Sequence, residues 1–596
     1  MNPLEFYNDN LVILRETLKK LKQRKSSFAW LRLGSIAAII VALYVLSSLG
    51  FIYIAIACVV LVFTFIRLVY ADIDNQVKID HTNKLININE DEIKALNGDY
   101  FHFPDGANHI PKDHAYANDL DIFGRASLFQ YLNRTTSEQG STSLADYLKF
   151  PASEDMIAQR QQAIVELSKD AKWIQDLQGL GRKTKITFSS QNRLKQWMQE
   201  PPVFSKFAPW KWLRYLLPAI ILSGIFLFAY DYVSASFFLI LLLVYMVIAY
   251  QINKYVAPIH EKLSRIADEL SILSASVRHI ENRSFEHPLL KKMQLSFIEK
   301  DTKASQNIDR IKKLLDKLDY RYNLVFVMSV NIVLLWSLQQ VLDLEKWKAD
   351  QKETLDKWFE TLADFEALNS LAVLHFNHPG WIFPTIVSNY FQVEGKEIGH
   401  PLIPEGKRVD NYIDIPDNSK LMLVTGSNMA GKSTYLRSIG VNVVLAMAGG
   451  PACAKEFKVS HVQIISSMRI TDNLEESTST FYAELKKLKT IIEKVNAGER
   501  VFILLDEILR GTNSLDRHTG SKALIKQLIR QKAAAIIATH DLELANLKDE
   551  FSDNILNYHF DVQVENEELF FDYQLKPGIC TSLNASILMK KIGIEL

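Results

Sequence analysis

The stretch that decides the fold of the C-terminal part is LMLVTGSNMAGKSTYLRS, residues 421–438. Leu421–Thr425 is a short apolar run typical of a buried strand, and the residues after Lys432 have helical spacing. Between them lies a loop with glycines at both ends, Gly426 and Gly431. The order of strand, glycine-containing loop, lysine, hydroxyl residues and helix predicts a phosphate-binding loop.

The chemistry expected of this loop explains its residue types. Glycines let backbone N–H groups approach the phosphates of ATP, and the N-terminus of the following helix favours an anion. Lys432 is predicted to reach the β- and γ-phosphates, and Ser433 to supply a hydroxyl to Mg²⁺. The predicted nucleotide-binding residues are Gly426, Ser427, Asn428, Met429, Ala430, Gly431, Lys432, Ser433 and Thr434.

Two further apolar runs predict strands that end in polar residues. Residues 501–505 lead into Asp506 and Glu507, of which the first is predicted to hold magnesium and the second to orient or deprotonate the attacking water. Residues 533–538 lead to His540, which is predicted to sense or polarise the γ-phosphate. Taken singly, an acidic pair also occurs in surface turns and a lone histidine is often structural. Together with the loop, they predict ATP hydrolysis with Lys432, Glu507 and His540 as catalytic residues.

Two pairs of apolar runs predict membrane hairpins. Residues 33–66 contain no charged residue and are broken only at 47–50, and a second pair occupies 213–230 and 232–250. Lysine and arginine precede the first run and are missing from both connecting turns, which predicts four membrane helices with the termini and the ATPase domain in the cytoplasm. The alternative is that these runs are buried helices of a large soluble protein. A third run, 324–338, is shorter and is predicted to be a buried core helix.

Length and composition set limits on the class of protein. A chain of 596 residues is too long for one hydrophobic core. Lysine plus arginine (68) equals aspartate plus glutamate (68), which excludes a global basic field for nucleic acid. The three cysteines form no CxxC pair, which argues against a zinc site or a disulfide framework. The predicted domains are an N-terminal helix with hairpin (1–70), a first helical core part (71–212), a second hairpin (213–250), a long-helix lever (251–384) and an ATPase domain (385–596).

Four motifs in order resemble those of the MutS family, within the wider ABC class of ATPases. They are the phosphate-loop run TGSNMAGKSTYLRS (425–438), a signature-like segment STSTFYAELKKL (477–488), the acidic-pair segment LLDEILRGTNSLD (504–516) and ATHDLEL (538–544). Upstream, DLDIFGRASLFQYLNRT (119–135) and DFEALNSLAVL (364–374) resemble parts of the family's helical core and lever.

The resemblance implies a homodimer with composite ATP sites and DNA, mismatched or branched, as a ligand. Ser479 and Thr480 would face the partner's nucleotide, and Asn513 would lie at the same interface; the hydroxyls can equally cap a helix. The chain departs from the family pattern in two ways. Ser427 and Ala430 stand where the family usually has proline and glycine, and no counterpart of the mismatch-reading and connector domains is expected.

The sequence therefore predicts a multidomain protein. Its fold class is an α-helical lever and core region with four transmembrane helices, joined to a C-terminal α/β P-loop ATPase domain of MutS type. The first functional hypothesis is a membrane-anchored ATPase in which ATP-dependent dimer closure moves the levers and DNA is bound. The alternatives are a membrane mechanochemical or transport ATPase, or an ATP-gated scaffold, neither of which binds DNA.

Overall fold

The computed structural model describes residues 2–46, 50–111, 113–299, 302–323, 326, 330–415, 420–427, 429–469, 480–565 and 568–580. The chain divides into two compact units, as expected for a multidomain protein. Unit 1 comprises Met1–Arg134, Ala145–Gly179 and Asn369–Leu596, and unit 2 comprises Thr135–Leu144 and Leu180–Leu368.

Most of the described chain is helical, with strands concentrated in the C-terminal part. The helices are α1 (Pro3–Val45), α2 (Phe51–Leu96), α3 (Leu128–Leu132), α4 (Glu138–Lys149), α5 (Glu154–Ser168), α6 (Ala171–Gly181), α7 (Phe188–Gln199), α8 (Trp210–Ala229), α9 (Ala235–Ser264), α10 (Ala267–Glu281), α11 (Pro288–Leu295), α12 (Ala304–Asp319), α13 (Ile332–Leu334), α14 (Trp336–Asp350), α15 (Leu355–Asn377), α16 (Lys432–Ala448), α17 (Thr480–Asn496), α18 (Ser514–Arg530) and α19 (Leu547–Glu550). The strands are β1 (Ile298–Glu299), β2 (Thr302–Lys303), β3 (Thr385–Val387), β4 (Val393–Ile398), β5 (Asn411–Ile415), β6 (Leu421–Thr425), β7 (Glu456–Ser460), β8 (Gln463–Ser467), β9 (Val501–Asp506), β10 (Ala534–Thr539), β11 (Ile555–Phe560), β12 (Gln563–Glu565), β13 (Glu568–Phe570) and β14 (Leu575–Pro577).

Hairpin 1, formed by α1 and α2, belongs to unit 1. Asn2 caps α1 by accepting a hydrogen bond from the Leu4 N–H at 3.0 Å, and Pro3 suits the first helical position because its missing N–H would have no helical partner. The apolar runs occupy the second part of α1 and the first part of α2, and their large side chains are mostly exposed. The helix α2 continues as one helix of 46 residues, well past the end of its apolar run.

Hairpin 2, formed by α8 and α9, belongs to unit 2. Its turn contains Asp231 with a φ of 57°, and Ser234 caps α9 through the Phe237 N–H. The rings of Phe228 and Phe238 stack with their centroids 4.7 Å apart next to this turn. In the described part of the chain, α1, α2, α8 and α9 are the four helices long and apolar enough to cross a membrane.

The third apolar run is not the single core helix that the sequence predicted. Helix α13 covers only three residues, Leu335 adopts a left-handed φ of 48°, and α14 begins at Trp336. The side chain of Asn331 explains the break, because its Oδ1 accepts hydrogen bonds from the N–H (3.0 Å) and hydroxyl (2.9 Å) of Ser337. Leu335 and Leu338 are buried, as predicted for this run. Residues 324, 325 and 327–329 lie outside the described residues.

A six-stranded sheet forms the centre of the C-terminal part, with the order β14-β11-β6-β10-β9-β8. The strands from β11 to β8 run parallel, and β14 pairs antiparallel with β11 at the edge. Every residue of β6, β9 and β10 is buried, which fits their continuous apolar sequences. The three strands predicted from the sequence are therefore present, and their carboxyl ends meet at one edge of the sheet.

Helices α17 and α18 pack against this sheet through leucine and isoleucine side chains, among them Ile491 and Ile525, which join one core with Leu421, Leu423 and the β9 side chains. Helix α16 is buried along most of its length. A second sheet has the order β3-β7-β4-β5. Three of its strands precede β6 in the sequence, and β7 follows α16.

Candidate functional site

The loop between β6 and α16 has the backbone that the phosphate-loop pattern requires. Gly426 has a φ of 150°, and a Cβ there would lie 2.8 Å from the carbonyl oxygen of Phe560. Gly431 has a φ of 106° immediately before α16 begins, and a Cβ there would meet the ring of Tyr573 at 3.1 Å. Both positions therefore favour glycine. Asn428 lies outside the described residues.

Lys432 is buried at the start of α16. Its ammonium donates hydrogen bonds to the carbonyl oxygens of Gly426 (2.7 Å) and Ser427 (2.9 Å), so the side chain folds back along the loop. Burial lowers the pKa of Lys432 from its ordinary value, and the carboxylates of Glu507 and Asp506 act in the opposite direction. The positive charge thus lies in the loop that the sequence assigned to phosphate.

Ser433 and Asp506 bring the loop and β9 together. The Ser433 hydroxyl donates to Asp506 Oδ2 at 2.5 Å, and Asp506 is the last, buried residue of β9. A hydroxyl and a carboxylate at the carboxyl end of a parallel sheet are oxygen ligands of the kind that Mg²⁺ prefers. The donor set therefore fits the predicted ion. Thr434 is exposed, and its carbonyl accepts a hydrogen bond from Ser438 one turn along α16.

Glu507 follows β9 in a left-handed conformation with a φ of 54°. Its N–H donates to the Ala538 carbonyl at 2.9 Å, which holds the residue against β10. One carboxylate oxygen lies 3.2 Å from Arg510 Nε, and the other lies 3.6 Å from His540 Nδ1. The structure thus places Glu507 between a guanidinium and the histidine predicted from the sequence. A non-glycine residue at positive φ costs energy and is enriched at functional sites.

Arg510 and Glu484 are site residues that the sequence reasoning missed. Arg510 also donates to the backbone carbonyl of Asp506 at 2.9 Å. The carboxylate of Glu484, on α17, accepts hydrogen bonds from the N–H groups of Leu509 (2.5 Å) and Arg510 (3.1 Å). Burial raises the pKa of Glu484, and these two hydrogen bonds oppose the shift. The sequence contains one signal for this ion pair: Glu507 and Arg510 carry opposite charges three residues apart in LLDEILRG.

The residues assigned to a dimer interface are only partly described. Ser479 lies outside the described residues, and Thr480 begins α17 without a described side chain. Asn513 is exposed and caps α18, because its Oδ1 accepts a hydrogen bond from the Asp516 N–H at 2.9 Å. Gly511 lies against the start of α17, where a Cβ would approach the Phe481 Cβ to 2.6 Å.

A second polar pair follows His540. His518 Nδ1, on α18, lies 2.8 Å from Asp541 Oδ2, and its Nε2 lies 3.7 Å from the exposed carboxylate of Glu543. The Asp541 N–H donates to the Thr539 hydroxyl at 3.0 Å. These bonds hold Asp541, the residue after His540, next to α18 and Thr539. Lys432, Ser433, Asp506, Glu507 and His540 are therefore gathered at one edge of the sheet.

Comparison with known proteins identifies this region. Residues 422–590 match the family model of MutS domain V. The chain is 32% identical to the DNA mismatch repair protein MutS of Persephonella marina over 247 residues, which are 41% of this chain and 28% of that protein. It is 33% identical to MutS protein homolog 4 of Homo sapiens over 209 residues, 33% of this chain and 22% of that protein.

A third relative is the DNA mismatch repair protein MutS of Aquifex pyrophilus. The chain is 34% identical to it over 227 residues, which are 36% of this chain and 25% of that protein. The chain thus spans about a quarter of the length of the curated relatives it matches. The similarity falls on the part of the chain that contains the phosphate loop, the acidic pair and His540. The chain therefore contains a region, residues 422–590, that matches MutS domain V, and over this part it is similar to MutS proteins.

Proposed function

We propose that the chain is a membrane-anchored ATPase of MutS type that works as a homodimer. The observation that carries the proposal is the 2.5 Å hydrogen bond between Ser433 and Asp506, with Glu507 as the next residue. It joins a hydroxyl of the phosphate loop to the carboxylate at the end of the neighbouring strand, as binding of a magnesium nucleotide requires.

Each residue has a role in this proposal. Lys432 exchanges the carbonyls of Gly426 and Ser427 for the β- and γ-phosphate oxygens, and the N-terminus of α16 faces the same anion. Ser433 and Asp506 would hold Mg²⁺, which supplies charge neutralisation on the phosphates. Glu507 orients and deprotonates the attacking water, and His540, 3.6 Å from its carboxylate, is placed to polarise the γ-phosphate.

The homodimer has support from the exposed surface around the loop. Met429 in the loop is 80% exposed, Leu515 beside Asn513 is 74% exposed, and Tyr482 on α17 is 62% exposed. Exposed large apolar side chains favour a surface that another protein covers. A second copy that presents its own Ser479, Thr480 and Asn513 is the proposed partner.

Membrane attachment has support from the four exposed apolar helices. Each of them contains a long apolar stretch in which at most 17% of the residues are buried. Surfaces of this size and apolarity are unfavourable in water. The proposed location is therefore a membrane crossed four times, with the termini and the ATPase domain in the cytoplasm.

DNA is the first proposed ligand, because relatives of the chain are named DNA mismatch repair proteins. A second candidate function is a mechanochemical ATPase that acts on the membrane helices and binds no DNA. One observation favours it: α2 runs without interruption from an apolar run to Leu96, within the compact unit that contains the proposed ATP site.

The proposal is tested by ATP turnover of the detergent-solubilised chain with and without duplex, branched and mismatched DNA. We expect Glu507→Gln to lower turnover by roughly 100-fold or more, as for loss of a general base. Glu550→Gln, which removes an exposed carboxylate paired with Lys526, is the matched control and should leave turnover unchanged. Stimulation by DNA that weakens with salt supports the first ligand. Turnover that depends on Glu507 but not on DNA supports the second function, and turnover that survives Glu507→Gln contradicts the assigned site.

A further inference from the structure

A buried aspartate outside the matched domain contacts the elements around the site. Asp119 is 1% exposed and accepts hydrogen bonds from the hydroxyl of Ser466 in β8 (2.7 Å) and from the N–H of Arg469, two residues after β8 (3.0 Å). Its other contact is an ion pair of 2.6 Å with Lys487 on α17. The carbonyl of Asp119 accepts a hydrogen bond from Arg437 on α16 at 3.2 Å.

Helix α17 joins this aspartate to the loop that contains Glu507. Lys487 and Glu484 lie three residues apart and therefore on adjacent turns of one face of α17. Glu484 holds the N–H groups of Leu509 and Arg510, the second and third residues after Glu507. Glu484 thus bonds that loop to α17, and Lys487 bonds α17 to Asp119.

Asp119 begins a stiff linking segment, residues 119–134. The Leu128 N–H donates to the Asp121 carbonyl at 3.0 Å, and the Phe129 N–H donates to the Ile122 carbonyl at 2.9 Å. Ser127 caps α3, and every residue of α3 is buried. These bonds, with the burial of α3, tie the two ends of the segment to each other.

The other end of the linking segment is fixed to hairpin 1. Arg134 donates to both carboxylate oxygens of Glu92 on α2, at 2.5 Å and 3.0 Å, and both side chains are 3% exposed. Asn377 donates to the same carboxylate at 2.9 Å and accepts a hydrogen bond from the Tyr7 hydroxyl of α1 at 2.6 Å. A bidentate buried pair of this kind holds its partners in one geometry. Arg134 is therefore bonded directly to α2 through Glu92, and α1 is linked to the same carboxylate through Asn377.

Hairpin 1 is continuous between this attachment and its apolar runs. Residues 71–92 of α2 are helical throughout and span about 30 Å at 1.5 Å per residue. Arg32 of α1 forms an ion pair of 3.0 Å with Asp72 of α2 where the apolar run ends. A single helix thus connects Glu92 to the apolar part of α2.

We propose that the linking segment couples the nucleotide state of the site to hairpin 1, with Asp119 as the positioning residue at one end and Arg134 at the other. The coupling rests on the proposed ATPase function. It requires that ATP alter the position of the loop after Glu507. Glu484, Lys487, Asp119, Arg134 and Glu92 then carry that change to α2. Thermodynamic linkage makes the coupling reciprocal. If nucleotide binding shifts the equilibrium between two positions of hairpin 1 by some factor, a constraint that selects one position shifts nucleotide affinity by that same factor.

The experiment is hydrogen exchange of the full chain in detergent, with and without a non-hydrolysable ATP analogue and Mg²⁺. We expect the analogue to change exchange by about threefold or more in the linking segment and in residues 85–96 of α2. Lys487→Met should retain analogue binding, keep the response of α17, and lose most of the response in residues 85–96. Lys526→Met is the matched control, because Lys526 forms an ion pair of 2.7 Å with Glu550 and has a similar exposure, 32% against 34% for Lys487.

Each outcome decides between the proposals. If Lys526→Met behaves like the parent and Lys487→Met loses the distant response, the coupling is supported. If residues 85–96 do not respond in the parent while α17 does, or if both variants respond like the parent, the coupling is wrong and the ATPase proposal stands. If the parent does not bind the analogue at all, both proposals fail together.

Discussion

At the scale of single residues, Asp506 is the carboxylate on which the proposed metal site depends. Its Oδ2 already accepts the Ser433 hydroxyl at 2.5 Å, so an amide in its place keeps the shape but removes the charge. We expect Asp506→Asn to lower magnesium-dependent ATP turnover by about 100-fold or more, because the charge that holds the ion is lost. The measurement is turnover as a function of magnesium concentration. Unchanged turnover and magnesium dependence would rule out this carboxylate as a ligand.

His378 gives the fold a defined dependence on pH. Burial lowers its pKa to about 4, its Nε2 lies 2.5 Å from the Tyr131 hydroxyl, and its ring stacks on Trp381 with centroids 4.1 Å apart. The neutral ring is favoured in the fold, so its contribution to stability is full above pH 6.5 and is lost as pH falls toward 4. Between pH 7.5 and pH 5 this group should lower the free energy of unfolding by about 2 kcal/mol.

The variant His378→Phe keeps the stacking and cannot take up a proton. Thermal unfolding of the detergent-solubilised chain at pH 7.5 and pH 5 measures the effect as the difference between parent and variant. We expect the parent to lose more stability than the variant over this interval. Equal losses would mean that the ring is accessible to protons in the folded protein. Comparing the two chains cancels the contribution of His400, whose pKa burial also lowers.

The residue types of the site were predictable from sequence, but most of their partners were not. Gly426, Gly431, Lys432 and Ser433 follow a local pattern that backbone geometry imposes on any phosphate loop. The contacts of Glu484 and Asp119 depend on how separate elements pack, since 25 residues separate Glu484 from Leu509 in the chain and 368 separate Asp119 from Lys487. Such pairs leave no local pattern in one sequence.

At the scale of elements, α17 is positioned by Glu484. Glu484→Gln leaves one of the two N–H groups of Leu509 and Arg510 facing an amide donor, which should cost about 1–3 kcal/mol of stability. Because these N–H groups follow Glu507, we expect ATP turnover to fall by roughly tenfold with little change in analogue binding. The measurements are the unfolding midpoint and kcat.

Glu493→Gln is the control for this prediction. Glu493 lies on the same helix, is exposed and pairs only loosely with Lys489 at 3.6 Å, so both quantities should stay at the parent's values. If both variants lower stability and turnover equally, the cause is the change in charge of α17 and not the contact of Glu484 with the loop after Glu507.

The break in the run 324–338 shows where sequence pattern alone is insufficient at this scale. Apolar spacing predicted one helix, and the burial of Leu335 and Leu338 agrees with it. The run nevertheless ends one helix and begins another at Leu335, because the Asn331 side chain replaces the backbone as the acceptor for Ser337. Hydropathy counts asparagine as one polar position and does not register which backbone group it will bind.

At the scale of the whole molecule, each compact unit contains one apolar hairpin, hairpin 1 in unit 1 and hairpin 2 in unit 2. The sequence located both hairpins because long uncharged runs are rare outside membranes and cores. It did not show that α2 continues to Leu96 as one helix, because several positions buried after Tyr70 are polar, among them Asn75, Thr82 and Asn89, and so no clear apolar stripe marks the helix. The continuous helix joins the apolar run of hairpin 1 to the polar part of α2 that ends at Leu96.

Membrane insertion of hairpin 1 can be measured with two positions on α2 that are equally exposed in the structure. Val59, in the apolar run, is 69% exposed, and Val77, beyond it, is 61% exposed. In a Cys58→Ser background, Val59→Cys and Val77→Cys are each reacted with a membrane-impermeant maleimide after reconstitution into vesicles. The other two cysteines are buried and contribute little background.

A thiol in the hydrocarbon core neither ionises readily nor meets a charged reagent, whereas one in water does both. We therefore expect Val59→Cys to react about 100-fold more slowly than Val77→Cys in vesicles. The two rates should converge when the protein is denatured, which controls for the intrinsic reactivity of each thiol. Equal rates in vesicles would place the apolar part of α2 in water and would contradict membrane insertion of hairpin 1.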